Sequence, residues 1–240
     1  VLPILGVAPG AKLYALKVFP AASDSTSEAT IIAAMDRAIT LRHNFNVGVP
    51  ANGPIPPTSW AYDRSISFIK RDLARVKAKL AEGGKPGGFT FTMTTNNIPI
   101  NVQEAEVIQA QLAEAGITMK IKLVDSATLL SDGNSKSFEM ISYQWSGRPD
   151  PDGNTYQFFR TTPGTSLNWS GISNKEIDAI LDKSREASSQ AERKRLFSQL
   201  TRLLQEELPM VFIVHPIEPK AFSPRVQNYD PVPDGMMRFK

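Results

Sequence analysis

Cysteine is absent from the 240 residues, and histidine occurs only at His43 and His215. Without thiols there are no disulfides, no cysteine nucleophile and no thiolate-held metal. Two histidines far apart leave only carboxylates as metal ligands, and Asp150-Pro151-Asp152-Gly153-Asn154 lacks the twelfth-position glutamate of a calcium loop, so no metal is expected. Gly83-Gly84-Lys85-Pro86-Gly87-Gly88 is not a phosphate-binding loop, because its lysine precedes proline and it stands before a strand, so no cofactor is expected either. A dominant charge is also missing. The net charge is only +3 and the basic residues are scattered among acids, which argues against a nucleic-acid partner. No apolar run approaches membrane-spanning length, so membrane insertion is not expected. Val1-Leu2-Pro3-Ile4-Leu5 is too short, and lacks the basic flank, for a signal peptide, which leaves a mature form or a fragment.

What is present suits a globular chain: 41% of residues are hydrophobic, enough for one large or two modest domains. Residues 13–19 form a short apolar run fit for a buried strand, and Ser25-Thr26-Ser27-Glu28 is a capping box ahead of a helical pattern through Arg42. Four prolines and two glycines in 48–57 predict a linker or long ordered loop, and a module boundary falls between residues 46 and 47. Beyond it, 64–82 reads as a helix, and the most basic run, 74–79, as its solvated face. Phe89, Phe91 and Met93 alternate as a strand, 102–115 returns to helical spacing, Gly116 ends that helix, and 117–123 alternates again. This is a βαβ unit with parallel strands. A strand over 138–145 opens into a polar loop at 146–154, the kind of strand end where open α/β sheets hold ligands. Ser173-Asn174-Lys175-Glu176 is a second capping box, 190–207 a further helix, 210–214 a last buried strand, and 216–233 an irregular proline-rich tail. The expected fold is therefore α/β, a mixed sheet with βαβ units.

Two resemblances attach to these segments. Gly6-Val7-Ala8-Pro9-Gly10-Ala11-Lys12-Leu13-Tyr14-Ala15-Leu16-Lys17-Val18-Phe19 resembles the stretch that follows the histidine motif in subtilisin-like serine proteases, and 25–45 the helix after it. Those are scaffold elements: the flanking aspartate and serine motifs are nowhere in the chain, so 1–46 is read as a non-catalytic subtilase-like strand–helix segment. Residues 47–240 resemble the C-terminal half of the family 5 solute-binding proteins of ABC importers. The likeness is carried by Val49-Pro50-Ala51-Asn52-Gly53-Pro54-Ile55-Pro56-Pro57, Gly87-Gly88-Phe89-Thr90, Phe138-Glu139-Met140 leading to Trp145, Pro149-Asp150-Pro151-Asp152, and Asn168-Trp169-Ser170-Gly171 with Asn174.

That second resemblance implies a periplasmic-binding-protein-type lobe without catalysis, periplasmic or extracellular. Its ligand would be a small peptide and its partner, at full length, an ABC-transporter permease. Trp145, Ser146, Gly147, Arg148, Asp150 and Trp169 are the candidate ligand residues. The indole offers apolar area, Gly147 lets a backbone approach, and Arg148 can fork onto a carboxylate. Peptide-binding relatives carry an aspartate for the ligand's amino terminus where Arg148 stands, a departure that favours an acidic peptide or a glutathione-like ligand. Structural alternatives stay open: core tryptophans at 145 and 169, an interface ion pair at Arg148, and turn-forming Asp150 and Asp152. A fragment of a subtilisin-like peptidase, and a structural chimera without native ligand binding, are the rival readings of the whole chain.

Overall fold

A computed structural model describes residues 12–16, the first of these stretches by its backbone, together with 48–161 and 167–217. Its strands are β1 (Lys12–Leu16), β2 (Gly48–Pro50), β3 (Thr90–Asn96), β4 (Thr118–Val124), β5 (Met140–Gln144), β6 (Met210–Phe212) and β7 (Val214–Pro216). Its helices are α1 (Leu73–Glu82), α2 (Pro99–Ala113), α3 (Ser126–Ser135), α4 (Tyr156–Phe159), α5 (Lys175–Glu186) and α6 (Gln190–Glu207). The larger sheet runs β4-β3-β5-β1-β6, while β2 and β7 pair separately. β3 is parallel to β4 and β5, and β1 lies antiparallel between β5 and β6. The sheet is thus mixed and the fold α/β, with β3-α2-β4 the expected parallel unit.

Both faces of the sheet are covered, so its inner strands bury alternate residues in opposite directions. Phe91, Met93, Met119, Met140 and Val211 pack beneath α1 and α2, with Val76, Leu80, Ile108 and Leu112. Ile141, Met210 and Phe212 point the other way, into a second core with Leu129 of α3, Phe159 of α4, Leu181 of α5 and Phe197 of α6. Neighbours on one strand, Met140 and Ile141, therefore serve different cores.

Several elements differ from the sequence reading for local reasons. The helix expected over 64–82 begins only at Leu73, where the Asp72 carboxylate accepts from the Arg75 N–H at 2.9 Å. Ahead of it, Asp63 turns the chain by accepting from both the amide and the hydroxyl of Ser65, and the Ile66 carbonyl accepts from the Asn52 side chain at 2.8 Å. The proline-rich 48–57 stretch is built into the fold: Ala51, Asn52 and Ile55 are buried, and Gln205 of α6 donates to the Asn52 carbonyl. Helix α3 was not foreseen; the Asp125 side chain caps it by accepting from the Ala127 and Thr128 amides. Asn174, not Ser173, caps α5. The run 210–214 divides at Ile213, whose carbonyl accepts from the Ala51 N–H, so β6 joins the large sheet and β7 the small one. The helix read over 25–45, His43 and nearly all of the 216–233 tail lie outside the described residues.

His215 sits in β7, opposite Val49 and fully buried. Neither ring nitrogen makes a hydrogen bond among the described residues. Burial pulls its pKa down to about 3, against a smaller opposing influence of the Gly53 backbone. The unfolded chain, with an ordinary histidine near 6.5, binds this proton first, so its contribution to stability is intact at neutral pH and is lost as pH falls from 6.5 toward 3. Urea unfolding should show His215→Leu flattening the acid-side slope by up to ~1.4 kcal/mol per pH unit relative to the natural sequence. Equal slopes would show that this histidine is not buried neutral.

Candidate functional site

Two adjacent parallel strands part company at their carboxyl ends. β3 hands the chain to α2 on one face, whereas β5 hands it through the 146–154 loop to α4, α5 and α6 on the other. A crevice opens wherever such neighbours diverge, and it is where open α/β sheets receive ligands. In this topology that position is between the ends of β3 at Asn96 and β5 at Gln144. Large exposed apolar side chains gather at the same end, with Leu123 near the end of β4 and Ile98 and Ile100 just past β3.

Trp145 follows β5 directly and is half-buried, its ring standing edge-on to Phe158 at 5.1 Å. Gly147 takes a left-handed conformation at φ +78, which turns the chain so that the Arg148 guanidinium lies over the Trp145 ring at 4.6 Å. Arg148 Nη1 donates to the Gly147 carbonyl at 2.6 Å and to Ser146 Oγ at 3.2 Å. Trp145 is thus half-buried and Ser146 and Arg148 exposed, forming a shelf beside this strand end, while Gly147 is buried beneath it and is not itself open to a ligand backbone.

The shelf is held from the following turn, a 3₁₀ segment over Pro151–Asn154. Buried Asn154 accepts from the Arg148 N–H at 2.7 Å and the Trp145 indole N–H at 3.3 Å, and donates to the Arg148 carbonyl at 2.8 Å. Gly153 leaves room for the arginine stem, since a Cβ there would stand 2.8 Å from Arg148 Cγ.

Asp150 and Asp152 lie in this turn with their carboxylates already occupied. Asp150 takes a two-bond fork from Arg193 of α6, at 2.8 and 3.0 Å, and Asp152 a fork from Arg185 of α5, at 2.7 and 2.9 Å. Burial disfavours the Asp150 anion, but Arg193 and the Asp152 N–H together hold its carboxyl below the usual carboxylate range. Arg160 similarly engages Asp178 and Asp182, and the Arg160 hydrogen bonds lower the pKa of Asp182. Arg148 differs: among the described residues it pairs with no carboxylate.

Trp169 is 3% exposed and belongs to the core. Its ring lies 4.9 Å from that of Tyr143, its indole donates to Asn134 at 3.1 Å, and the α3 backbone approaches it at Gly133. Neighbouring Asn168 is buried with its amide donating to the Ile172 carbonyl, so the Asn168-Trp169-Ser170 sequon is closed in the folded chain. The structure therefore leaves Ser146, Arg148 and part of Trp145 at the surface, buries Gly147, places Asp150 in a supporting ion pair, and puts Trp169 inside. Asn154, Arg185 and Arg193 were not among the residues singled out from sequence; only the Asp-Pro-Asp turn signal pointed near them. No group of three or more potential metal ligands occurs among the described residues, nor any helix long and apolar enough to cross a membrane.

A doubly covered mixed sheet with a shelf at its switch point is the architecture of a ligand-binding α/β lobe. The chain matches the family described as "Bacterial extracellular solute-binding proteins, family 5 Middle" over residues 30–166, and it belongs to that family. The match begins ahead of the boundary placed between residues 46 and 47. The chain is 31% identical over 193 residues to Di/tripeptide-binding protein 4 of Pseudomonas aeruginosa, covering 75% of this chain and 35% of that protein. With Heme-binding protein A of Haemophilus influenzae it shares 26% over 198 residues, 80% of this chain and 36% of the relative. Among solved structures, the ABC transporter-associated periplasmic binding protein DppA from Helicobacter pylori, in complex with peptide STSA, superposes with a TM-score of 0.80 at 25% identity. That superposition covers 88% of this chain and 42% of DppA. HbpA2 from Haemophilus parasuis shares the fold, with a TM-score of 0.79 over 88% of this chain and 43% of that one. The chain spans less than half the length of each of these relatives.

The contact between α3 and Trp169 can be tested directly. An added methyl in Gly133→Ala would lie 2.7 Å from the indole, and the overpacking should cost about 1–3 kcal/mol, partly offset by roughly 1 kcal/mol of helix propensity. A net fall in the urea midpoint with an upfield or downfield shift of the Trp169 indole signal is expected; an unchanged signal would mean that α3 does not rest on this ring.

Proposed function

We propose that the chain is a ligand-binding lobe of a peptide-type solute-binding protein serving an ABC importer, and that its Trp145–Arg148 shelf takes the anionic group of a small ligand, such as an acidic peptide or a glutathione-like tripeptide. The observation that carries this reading is the distribution of charge. Arg160, Arg185 and Arg193 are each neutralised by aspartates, while Arg148 is exposed, meets no carboxylate among the described residues, and lies over an indole that holds its planar guanidinium in place. Relatives whose names record di- or tripeptide binding support the substrate class, as does the dipeptide-binding protein of Escherichia coli, 26% identical over 204 residues. An importer's permease as partner, and a periplasmic or extracellular site of action, follow from family membership and belong to the same proposal.

The role is binding without chemistry. His215 is fully buried and faces no hydroxyl or carboxylate partner among the described residues, so it cannot serve as the base of a serine nucleophile. Within this proposal the subtilase-like segment contributes scaffold through β1, its described part. In support, its strand β1 hydrogen-bonds on both sides, to β5 and to β6, so the larger sheet would be left open without it.

Calorimetric titration tests the ligand reading. Glutathione should bind, Arg148→Ala should weaken it by about 1–3 kcal/mol, and Arg148→Lys should recover only part, because an ammonium lacks the planar fork. Equal affinity of the natural protein for glutathione and for its diamide, which carries no carboxylate, or no effect of Arg148→Ala, would exclude an anion at this position.

A further inference from the structure

Resting on the anion-binding reading above, we infer that Asn154 is the positioning residue of this site: its one side-chain amide holds the Trp145 indole and the Arg148 backbone in the placement that ligand capture requires. The argument starts from which parts are fixed. The Pro151–Asn154 turn is bolted to α5 through Asp152 and Arg185, and to α6 through Asp150 and Arg193. It also closes on itself, with the Asp152 N–H donating to the Asp150 carboxylate, the Gly153 N–H to the Asp150 carbonyl, and the Thr155 hydroxyl to the Pro151 carbonyl. None of these bonds uses the Asn154 side chain, so the turn does not need that side chain for its own shape.

Residues 145–149, by contrast, reach the turn by hydrogen bonds only through Asn154 among the described residues. The Asn154 amide closes a two-bond ring with the Arg148 backbone, like one rung of a strand pair, while its oxygen also takes the indole N–H. Only a primary amide of this length supplies an acceptor for two donors and a donor for one carbonyl at once. Gly153 beside it leaves the room that the Arg148 stem occupies. Without Asn154 the guanidinium keeps its charge and its ring, but the pair loses its fixed register against the end of β5, and an ordering cost then falls on ligand binding.

Nuclear magnetic resonance of the whole protein tests this independently of any ligand. The chain has three tryptophans, so the Trp145 indole N–H can be assigned with Trp145→Phe. In Asn154→Ala, the Trp145 indole and Arg148 amide signals should move and exchange with solvent about tenfold or more faster, with those of Trp60 and Trp169 unmoved. In titration, Asn154→Ala should lower glutathione affinity about as far as Arg148→Ala, and the double variant should bind no worse than Arg148→Ala alone, because the two changes remove one unit. Unmoved Trp145 and Arg148 signals, or losses that simply add, would overturn the inference. If Asn154→Ala unfolds the protein, exchange in the natural sequence decides: protection of both N–H groups supports the role, and exchange at the rate of free solvent removes it. Should glutathione fail to bind the natural protein, the anion reading falls, and the resonance shifts alone judge Asn154.

Discussion

The divergence of β3 and β5 is the constraint from which the rest of this structure follows. Both strands run the same way and share the register Met93 to Met140 and Thr94 to Ile141, yet their chains leave for opposite faces of the sheet. Two cores are thereby obligatory, and each interior strand must supply apolar residues alternately to both. A divergence at the carboxyl ends follows equally, since no connection among the described residues crosses between β3 and β5 there. Because β1 pairs with β5 along five residues, β5 is an interior strand and its end is not free to fray. The proposed ligand shelf, which begins at the residue after β5, inherits that rigidity.

Charge is then allotted unevenly around the shelf. Four aspartates, at 150, 152, 178 and 182, are each met by an arginine of the 160–193 region. Such partly exposed pairs are worth little in stability, on the order of 0–1 kcal/mol each, so their consequence is geometric and electrostatic rather than energetic. They pin the turn that carries Asn154, and they neutralise carboxylates that would otherwise oppose an anion nearby. Arg148 is left as a cation whose near neighbours are an indole face, a hydroxyl and a carbonyl. A cation–π contact costs the guanidinium none of its in-plane donors, which is why stacking and forked recognition can coexist on one side chain.

Much of this architecture was legible from periodicity, and what escaped did so for identifiable reasons. The β3-α2-β4 unit was plain because Phe91 and Met93 alternate with threonines and because Gly116, at φ +84, ends the connection with a conformation glycine adopts without strain. Helix α3 was hidden because Ser126, Ser131, Asp132, Gly133 and Asn134 have weak helix propensity; a cap at Asp125 and the packing of Gly133 on Trp169 outweigh it. The false extension of α1 back to residue 64 arose because Ile66 and Ile69 keep helical spacing, although Ile66 is buried at the turn begun by Asp63 and Ile69 packs on the first core from irregular chain. At the candidate site, the aromatic and arginine types of 145–148 are the sequence signal on which the proposed binding surface rests. The partner of each aspartate, the burial of Trp169 and the linking role of Asn154 depend on contacts up to 43 residues apart, which no local pattern encodes.

The shelf by itself supports only modest affinity, and the arithmetic says where the rest must originate. A charge-assisted fork contributes about 1.5–3 kcal/mol and a stacked contact about 0.5–1.5 kcal/mol, together about 2–4.5 kcal/mol, which reaches the roughly 4 kcal/mol of a millimolar complex only at its upper end. Micromolar binding needs about 4 kcal/mol more, and burying most of a small ligand is the usual way to gain it. One open crevice wall cannot enclose a peptide on its own. The exposed Ile98, Ile100 and Leu123 beside the crevice are apolar area still facing water, available to whatever closes against it. A chain that spans under half of its relatives has room in the longer proteins for such a second wall. In the proposed reading Arg148 selects the charge of the ligand, while its affinity is set by how completely the crevice is covered.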